Sequence, residues 1–346
     1  MKIHEISGQT GSSRILVGRV MDTITQYLPN GSPLIILTDD NVRHYYEDRF
    51  PPAQTIITMG TGEGHKTLDT VQMIYERLVS IEADRSIFLL GIGGGIVCDI
   101  TGFVASTYMR GVRFGYMPTT LLAQVDAGVG GKTGFNFMGY KNMIGTFNQP
   151  ELVVCDPEFF PTLSPVDLSC GFAEIIKHAA IADHSYFEIL ENFDIKKQMD
   201  DPGVVEDIVH RSVMIKADIV NRDERERGER RKLNFGHTLG HALEKTIGMP
   251  HGEAVGIGMM AAANLSLEKN LLQSGDVLRL KNLLESFSLP TAADFDVSKV
   301  MDALARDKKK EGKMIHFVLL NGIGKAVIES IYLDVLEKVL FKKQSA

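Results

Sequence analysis

The segment Asn234–Glu244 (NFGHTLGHALE) places His237 and His241 four residues apart. On a helix that spacing sets two imidazoles on one face, a chelating pair for a divalent metal. His251 follows in MPHGE, just before the next helical pattern. An earlier helical run, CGFAEIIKHA, carries Glu174, Lys177 and His178. Glu174 stands between apolar neighbours and should face inward, where an unpaired carboxylate is costly. A metal would relieve that cost, and so would pairing with Lys177. One carboxylate and two imidazoles with an open fourth position is the donor set of a catalytic zinc. The competing reading makes each histidine a hydrogen-bonding residue of a helix face and Glu174 the partner of Lys177.

A second stretch, Ser86–Lys141, has the makings of a phosphate site. The apolar run Ile87–Leu90 reads as a buried strand. It enters Gly91, Gly93, Gly94 and Gly95, and helical spacing then resumes through Ile100, Phe103 and Val104. Strand, glycine turn and helix together present backbone N–H groups to a phosphate. The stretch is not a complete dinucleotide fingerprint, because Ile96 or Cys98 stands where the last glycine belongs. VDAGVGGKT is not a P-loop either, since Asp126 replaces its first glycine. Thr119, Thr120 and Lys132 add further groups suited to phosphate.

These residues need a scaffold. Apolar runs at 34–37, 55–58, 87–90, 114–117 and 152–155 alternate with helical patterns such as 68–79. Alternation of this kind predicts an α/β fold, a doubly wound, Rossmann-like and mostly parallel sheet over residues 1–164. The polar Thr38-Asp39-Asp40 end of the first run then sits at the carboxyl edge, where such sheets bind ligands. At Ser164-Pro165-Val166-Asp167 a helix start appears, with a Ser cap and Pro in the first turn. Helices are expected near 165–181, 185–192, 204–221, 234–247, 252–270, 275–286 and 297–306. A hairpin over KMIHFVLL-NGIG-KAVIES and a helical end follow. Residues 165–346 therefore form a second, mainly α-helical domain for metal and substrate. The run Asp223–Lys232 (DERERGERRK) reads as a solvated connector.

The 346 residues are enough for two domains with cores of their own. A formal charge of −7 argues against nucleic acid as a partner. Cys98, Cys155 and Cys170 form no motif, which suits reduced thiols in a cytoplasmic protein. The start MKIHEISGQTGSS lacks an apolar signal core, and the apolar segment 87–105 is interrupted by Asp99 and glycines, so no membrane association is expected.

Taken together, these pieces resemble 3-dehydroquinate synthase, a sugar-phosphate cyclase family. The resemblance rests on DDNV (39–42), GEGHK (62–66), GGGIVCD (93–99), TYMRGV (107–112), PTTLLAQVDAGVGGKTG (118–134), YKNMIGTF (140–147), GFAEIIKH (171–178), IKADIV (215–220), RRKLNFGHTLGHALE (230–244), HGEAVGIGM (251–259) and DKKKEG (307–312). It implies metal ligands Glu174, His237 and His251 for Zn2+ or Co2+, where spacing alone favours His237 with His241. It implies NAD held by Asp40, Asn41, Glu63, Lys66, Gly94, Gly95, Asp99, Thr119, Thr120, Lys132, Lys141, Phe159 and Thr162. It implies catalytic and substrate contacts from Asp126, Lys132, Asn142, Lys177, Lys216, Arg230, Asn234, His241 and Lys308. Arg110 resembles the arginine that reaches the partner's site in a homodimer. Departures fall at Cys98, where a glycine is usual, and over Pro165–Cys170.

The activity so implied converts 3-deoxy-D-arabino-heptulosonate 7-phosphate to 3-dehydroquinate and phosphate, a carbon–oxygen lyase reaction of aromatic biosynthesis. It passes through transient NAD-dependent oxidation, phosphate elimination, re-reduction and intramolecular aldol closure. Three alternatives have their own signatures. Another sugar-phosphate cyclase would make an aminated quinate, a valiolone or an inosose, the last two from substrates without the carboxylate. A metal-dependent polyol dehydrogenase would make NADH in proportion to product. A silent nucleotide-binding regulator would have no use for the intact Glu174, His237 and His251 set.

Overall fold

A computed structural model describes residues 1–306, 310–311 and 314–337. They divide into two compact units. The first comprises Met1–Ser164 and Pro202–Arg225, and the second Pro165–Asp201 with Glu226 onward.

The first unit runs β1 (Lys2–Gly8), β2 (Gly11–Val17), β3 (Leu34–Asp39), α1 (Asp40–Tyr46), β4 (Thr55–Met59), α2 (Leu68–Ser80), β5 (Phe88–Gly93), α3 (Gly95–Thr107), β6 (Arg113–Pro118), β7 (Lys132–Phe137), β8 (Tyr140–Phe147) and β9 (Leu152–Cys155). Seven strands form one sheet in the order β1-β2-β9-β6-β5-β3-β4. All neighbours are parallel except β1 with β2, which form an antiparallel edge hairpin. The five strands expected from apolar runs are present. β1 and β2 were not anticipated, because their residues alternate only partly between apolar and polar. Leu16, Ile36, Phe88, Leu90, Ile92 and Val154 belong to the core cluster on this sheet. Runs buried this completely explain why β3, β5 and β9 read as unbroken apolar segments. β7 and β8 form a separate two-stranded hairpin.

The second unit carries α4 (Pro165–Ala182), α5 (His184–Glu191) and α6 (Ile195–Gln198). The chain then returns to the first unit as α7 (Pro202–Arg222), before completing the second with α8 (His237–Ile247), α9 (His251–Glu268), α10 (Ser274–Ser286), α11 (Val297–Arg306), β10 (Lys310–Glu311), β11 (Met314–Leu320) and β12 (Ala326–Tyr332). The expected helices fall within a few residues of these bounds. The division at Pro165 expected from sequence does not account for α7, which packs with the sheet unit. The physical reason is its buried apolar face, which includes Val205, Val209, Val213 and Val220, and polar ties from α7 and the residues just after it add to this. Lys2 Nζ pairs with Asp207 Oδ1 at 2.8 Å, and Glu224 accepts from Gln9 N at 2.7 Å and Gln149 Nε2 at 2.9 Å. The core of the second unit includes Phe172, Phe193 and Phe287, with the Phe172 and Phe287 rings 4.4 Å apart.

Candidate functional site

In the helical unit, α8 and α9 meet backbone to backbone. Gly236, just before α8, has a φ of +79°, which glycine adopts without a Cβ penalty. A Cβ there would strike the Val255 carbonyl and Met259, and one on Gly258 would strike the Gly236 carbonyl. Close approach brings together His237 and His251, the first residues of the two helices. The Gly252 amide donates to Cys170 Sγ at 3.2 Å, which seats the start of α9 on α4. Glu174 lies one turn after Cys170 on the same helix. The departure from the family pattern at Cys170 is therefore a packing contact.

Glu174 is fully buried. Its Oε1 is 3.3 Å from His237 Nε2 and 3.1 Å from His251 Nε2, and its Oε2 accepts from Lys177 Nζ. The outer ring nitrogens are also engaged. His237 Nδ1 lies 3.2 Å from the Phe235 carbonyl and His251 Nδ1 2.8 Å from Glu244 Oε1. In the tautomer whose Nδ1–H donates outward, as metal binding requires, both Nε2 atoms face one point beside a carboxylate oxygen. Ligand atoms of Glu174, His237 and His251 lie within 4.8 Å of one another. Two imidazole nitrogens and a carboxylate, each oriented by a further partner, fit a divalent zinc-type ion. His241, the partner suggested by helical spacing, is outside this set. Its ring packs edge-on to His237 at 5.2 Å and is exposed. The nitrogen that joins Glu174 and His237 comes from the second helix, not from the i, i+4 repeat.

Charge at the centre is unevenly shared. Burial works to raise the Glu174 pKa, but Lys177 and the two imidazoles hold it well below the usual carboxylate range. Burial and Lys177 lower His237, against the pull of Glu174. Burial also works to lower His251, yet Glu174 and Glu244 outweigh it and push the pKa up to about 10. Without metal, the proton therefore sits on His251 and His237 is neutral. The two histidines differ because His251 lies between two carboxylates while the other nitrogen of His237 meets only a neutral carbonyl.

Other expected residues of this unit also have structural partners. Lys177, expected to touch substrate, is buried against Glu174. Asn234 donates to Glu226 Oε1. Arg230 is only 2% exposed, which overturns the solvated reading of the charged run at that position. Lys308 lies outside the described residues.

In the sheet unit, β4 and β5 leave β3 on opposite sides, so the strand order reverses there. Ligands of open α/β sheets bind at the carboxyl ends beside such a reversal. Asp40 and Asn41 follow β3, Glu63 and Lys66 follow β4, Gly94 and Gly95 follow β5, and Thr119 and Thr120 follow β6. Gly94 caps α3 and has no side chain to satisfy the first-turn N–H groups. An added Cβ would meet Thr120 from Gly94 and Ala127 from Gly95. First-turn amides without a side-chain cap, and the tight space at Gly95, fit a dinucleotide phosphate. Cys98, where a glycine was expected, is buried, with Sγ 3.9 Å from the Gly93 carbonyl.

A polar chain runs beside this edge. Lys66 Nζ pairs with Asp99 and donates to Asn142 Oδ1 at 2.6 Å. Burial pushes Asp99 up, against the opposing pull of Lys66. Lys216, on α7, pairs with the Asp126 carboxylate and donates to its carbonyl at 2.6 Å. Thr162 Oγ1 is 2.8 Å from Tyr46 Oη. Phe159, expected at the cofactor, has its ring fully buried in the core against Tyr46, so no side-chain contact with a ligand is available in this arrangement. Lys132, Lys141 and Arg110 are exposed. Two functional candidates escaped the sequence reading. Glu244 follows His237 and His241 at i+7 and i+3, a helical-face signal that was there to be read. Asn136 gave no such signal, because its position depends on strand register.

The chain matches two family models, 3-dehydroquinate synthase N-terminal over residues 56–170 and 3-dehydroquinate synthase C-terminal over residues 171–310. It is 46% identical to the 3-dehydroquinate synthase of Campylobacter curvus over 279 residues, 80% of each chain. It is 37% identical to that of Acaryochloris marina over 336 residues, 93% of this chain and 90% of the relative. Among solved structures, 2-epi-5-epi-valiolone synthase from Streptomyces hygroscopicus, with NAD+ and Zn2+ bound, superposes with a TM-score of 0.89. It shares 27% identity, and the match covers 98% of both chains.

Proposed function

The chain belongs to the 3-dehydroquinate synthase family, and we propose that it converts 3-deoxy-D-arabino-heptulosonate 7-phosphate to 3-dehydroquinate and inorganic phosphate as a carbon–oxygen lyase. The observation that carries the proposal is the oriented Glu174, His237 and His251 set, held in a chain whose sequence relatives share this activity's name. When bound, NAD supplies a reversible hydride acceptor and the divalent metal a Lewis acid for the substrate oxygen.

Glu174, His237 and His251 hold the metal, while Lys177 keeps Glu174 ionised in its buried position. Glu244 and the Phe235 carbonyl fix the two imidazole tautomers. Exchange of the His251 proton for a divalent ion leaves these groups with one net positive charge, which favours an anionic substrate. Gly94 and Gly95 receive the dinucleotide phosphate, and Glu63, Lys66, Asp99, Thr119 and Thr120 line the same sheet edge. Arg230 is assigned to the substrate carboxylate, because a guanidinium grips a carboxylate through two parallel hydrogen bonds. Lys216 is assigned there as a second cation and must exchange Asp126 for the ligand. Lys132, Asn142 and Lys308 are assigned to the phosphate end, and His241 to a substrate-facing position beside the metal.

Arg110 is proposed to serve the partner's site in a homodimer. Met109 and Arg110 have φ of +49° and +69°, and Gly111 follows at +125°. A left-handed pair of non-glycine residues is costly and concentrates at functional loops. No described helix is long and apolar enough to cross a membrane.

The deciding assay incubates the protein with the heptulosonate phosphate, NAD+ and Zn2+, and measures phosphate, dehydroquinate and NADH together. Equal phosphate and dehydroquinate with recycled cofactor are expected. NADH in proportion to product would instead mean a dehydrogenase. Preference for a sugar phosphate lacking the carboxylate would mean a different cyclase.

A further inference from the structure

Asn136 stands at a break in the β7–β8 hairpin. Pairing runs regularly from Lys132↔Phe147 to Phe135↔Ile144, then jumps to Phe137↔Tyr140. The shift leaves Asn136 without a ladder partner and adds residues on β8, among them Asn142, whose φ is +51°. Bulges of this kind re-aim side chains beside functional sites, and asparagine tolerates the left-handed region better than most residues.

Every bond of Asn136 runs toward residues already assigned. Its amide donates to the Lys66 carbonyl at 2.9 Å. Its Nδ2 donates to Glu63 Oε1 at 2.8 Å, and its Oδ1 accepts from the Asn142 amide at 2.9 Å. Asn142 Oδ1 in turn accepts from Lys66 Nζ, which also pairs with Asp99. One half-buried side chain therefore joins the loop after β4 to the tip of the hairpin, with its carbonyl and amide ends used on opposite sides. That orientation is self-consistent, because Glu63 can only accept and a backbone amide can only donate.

We propose that Asn136 is a positioning residue that fixes Asn142 in its left-handed conformation and ties it to Glu63 and Lys66, so that dinucleotide binding at the sheet edge and phosphate recognition by the hairpin are energetically coupled. The inference rests on the assignment of Glu63 and Lys66 to the cofactor and of Asn142 to the substrate phosphate. A ligand that orders the loop after β4 thereby orders the hairpin, and the reverse holds by linkage.

The test compares wild type, Asn136→Ala and Asn136→Asp, each first checked for wild-type thermal unfolding. Two readouts are taken on the whole protein: hydrogen exchange of the Asn142 amide, and the Kd of NAD+ by calorimetry. Asn136→Ala should speed exchange at Asn142 about tenfold and weaken NAD+ several-fold, the size of one or two lost hydrogen bonds. Asn136→Asp keeps the acceptor for Asn142 but sets a carboxylate against Glu63. It should preserve the slow exchange and still weaken NAD+. Unchanged exchange and unchanged Kd in Asn136→Ala would overturn the proposal, as would equal effects of Ala and Asp on exchange. If wild type fails to bind NAD+, the cofactor assignment fails, while the exchange arm still decides whether Asn136 holds Asn142.

Discussion

The metal centre should bind its ion in exchange for one proton, and that proton should come from His251. With a pKa of about 10, His251 is charged throughout the neutral range in metal-free protein, while Glu174 is already ionised and His237 already neutral. The metal needs the free Nε2 pair and must displace the proton. Below about pH 10, apparent affinity should therefore rise roughly tenfold per pH unit, or about 1.4 kcal/mol. At pH 7 the penalty is on the order of 4 kcal/mol relative to the fully deprotonated site. The sign follows from the raised pKa: protonation stabilises the metal-free fold at low pH, and that advantage fades as pH climbs toward 10. The assay is calorimetry of Co2+ binding to chelator-stripped protein in two buffers of different ionisation enthalpy. At pH 6, below the range near 7 where metal-bound water can ionise, the His251 proton should be released, and it should still be released at pH 8. Two independent, unperturbed histidines would release about 1.5 there and almost none at pH 8. Glu244→Gln removes one of the two carboxylates that raise His251. Its proton release should begin to fall at a lower pH than in wild type, with any contribution from bound water common to both proteins. No release at pH 6, or the same fall-off pH in wild type and Glu244→Gln, would refute the assignment of the proton to His251.

Three further outcomes follow from the same geometry. His251→Ala should lose bound zinc far more completely than His241→Ala, as read by metal content after gel filtration, whereas the reverse order would restore the i, i+4 pair. Arg230→Lys keeps the charge but loses the paired geometry, so kcat/KM for the heptulosonate phosphate should fall by a factor worth about 1.5–3 kcal/mol. A change within about 0.5 kcal/mol would make Arg230 a structural residue with no ligand role. Mixed dimers of Arg110→Ala and Lys132→Ala chains should regain part of the activity that either variant lacks alone, since one site then carries both native residues. A verified heterodimer without recovery would remove Arg110 from the partner's site.

Local sequence determined the elements and much of the chemistry on them. Unbroken apolar runs ending in polar or glycine residues marked β3, β5 and β9 as buried parallel strands, because strands covered on both faces have no polar alternation to show. Ser164-Pro165 announced α4, and an inward-facing Glu174 announced a charge that needed a partner. Partial alternation hid β1 and β2, since an edge hairpin is only half covered. The return of α7 to the sheet unit was equally hidden, because the ties of Asp207 and Lys216, and of Glu224 just after the helix, run to residues many positions away. Spacing put His241 beside His237, as any helix would. The close contact of Gly236 with Gly258, possible because neither carries a Cβ, brings His251 to Glu174 and His237. Arg230 looked solvated among its charged neighbours and is buried. Asn136 acquired its partners from a shift in strand register that no residue spacing encodes. Periodicity reports which face of an element is buried. Which two elements meet, and at which residues, is set by close packing between segments far apart in the chain.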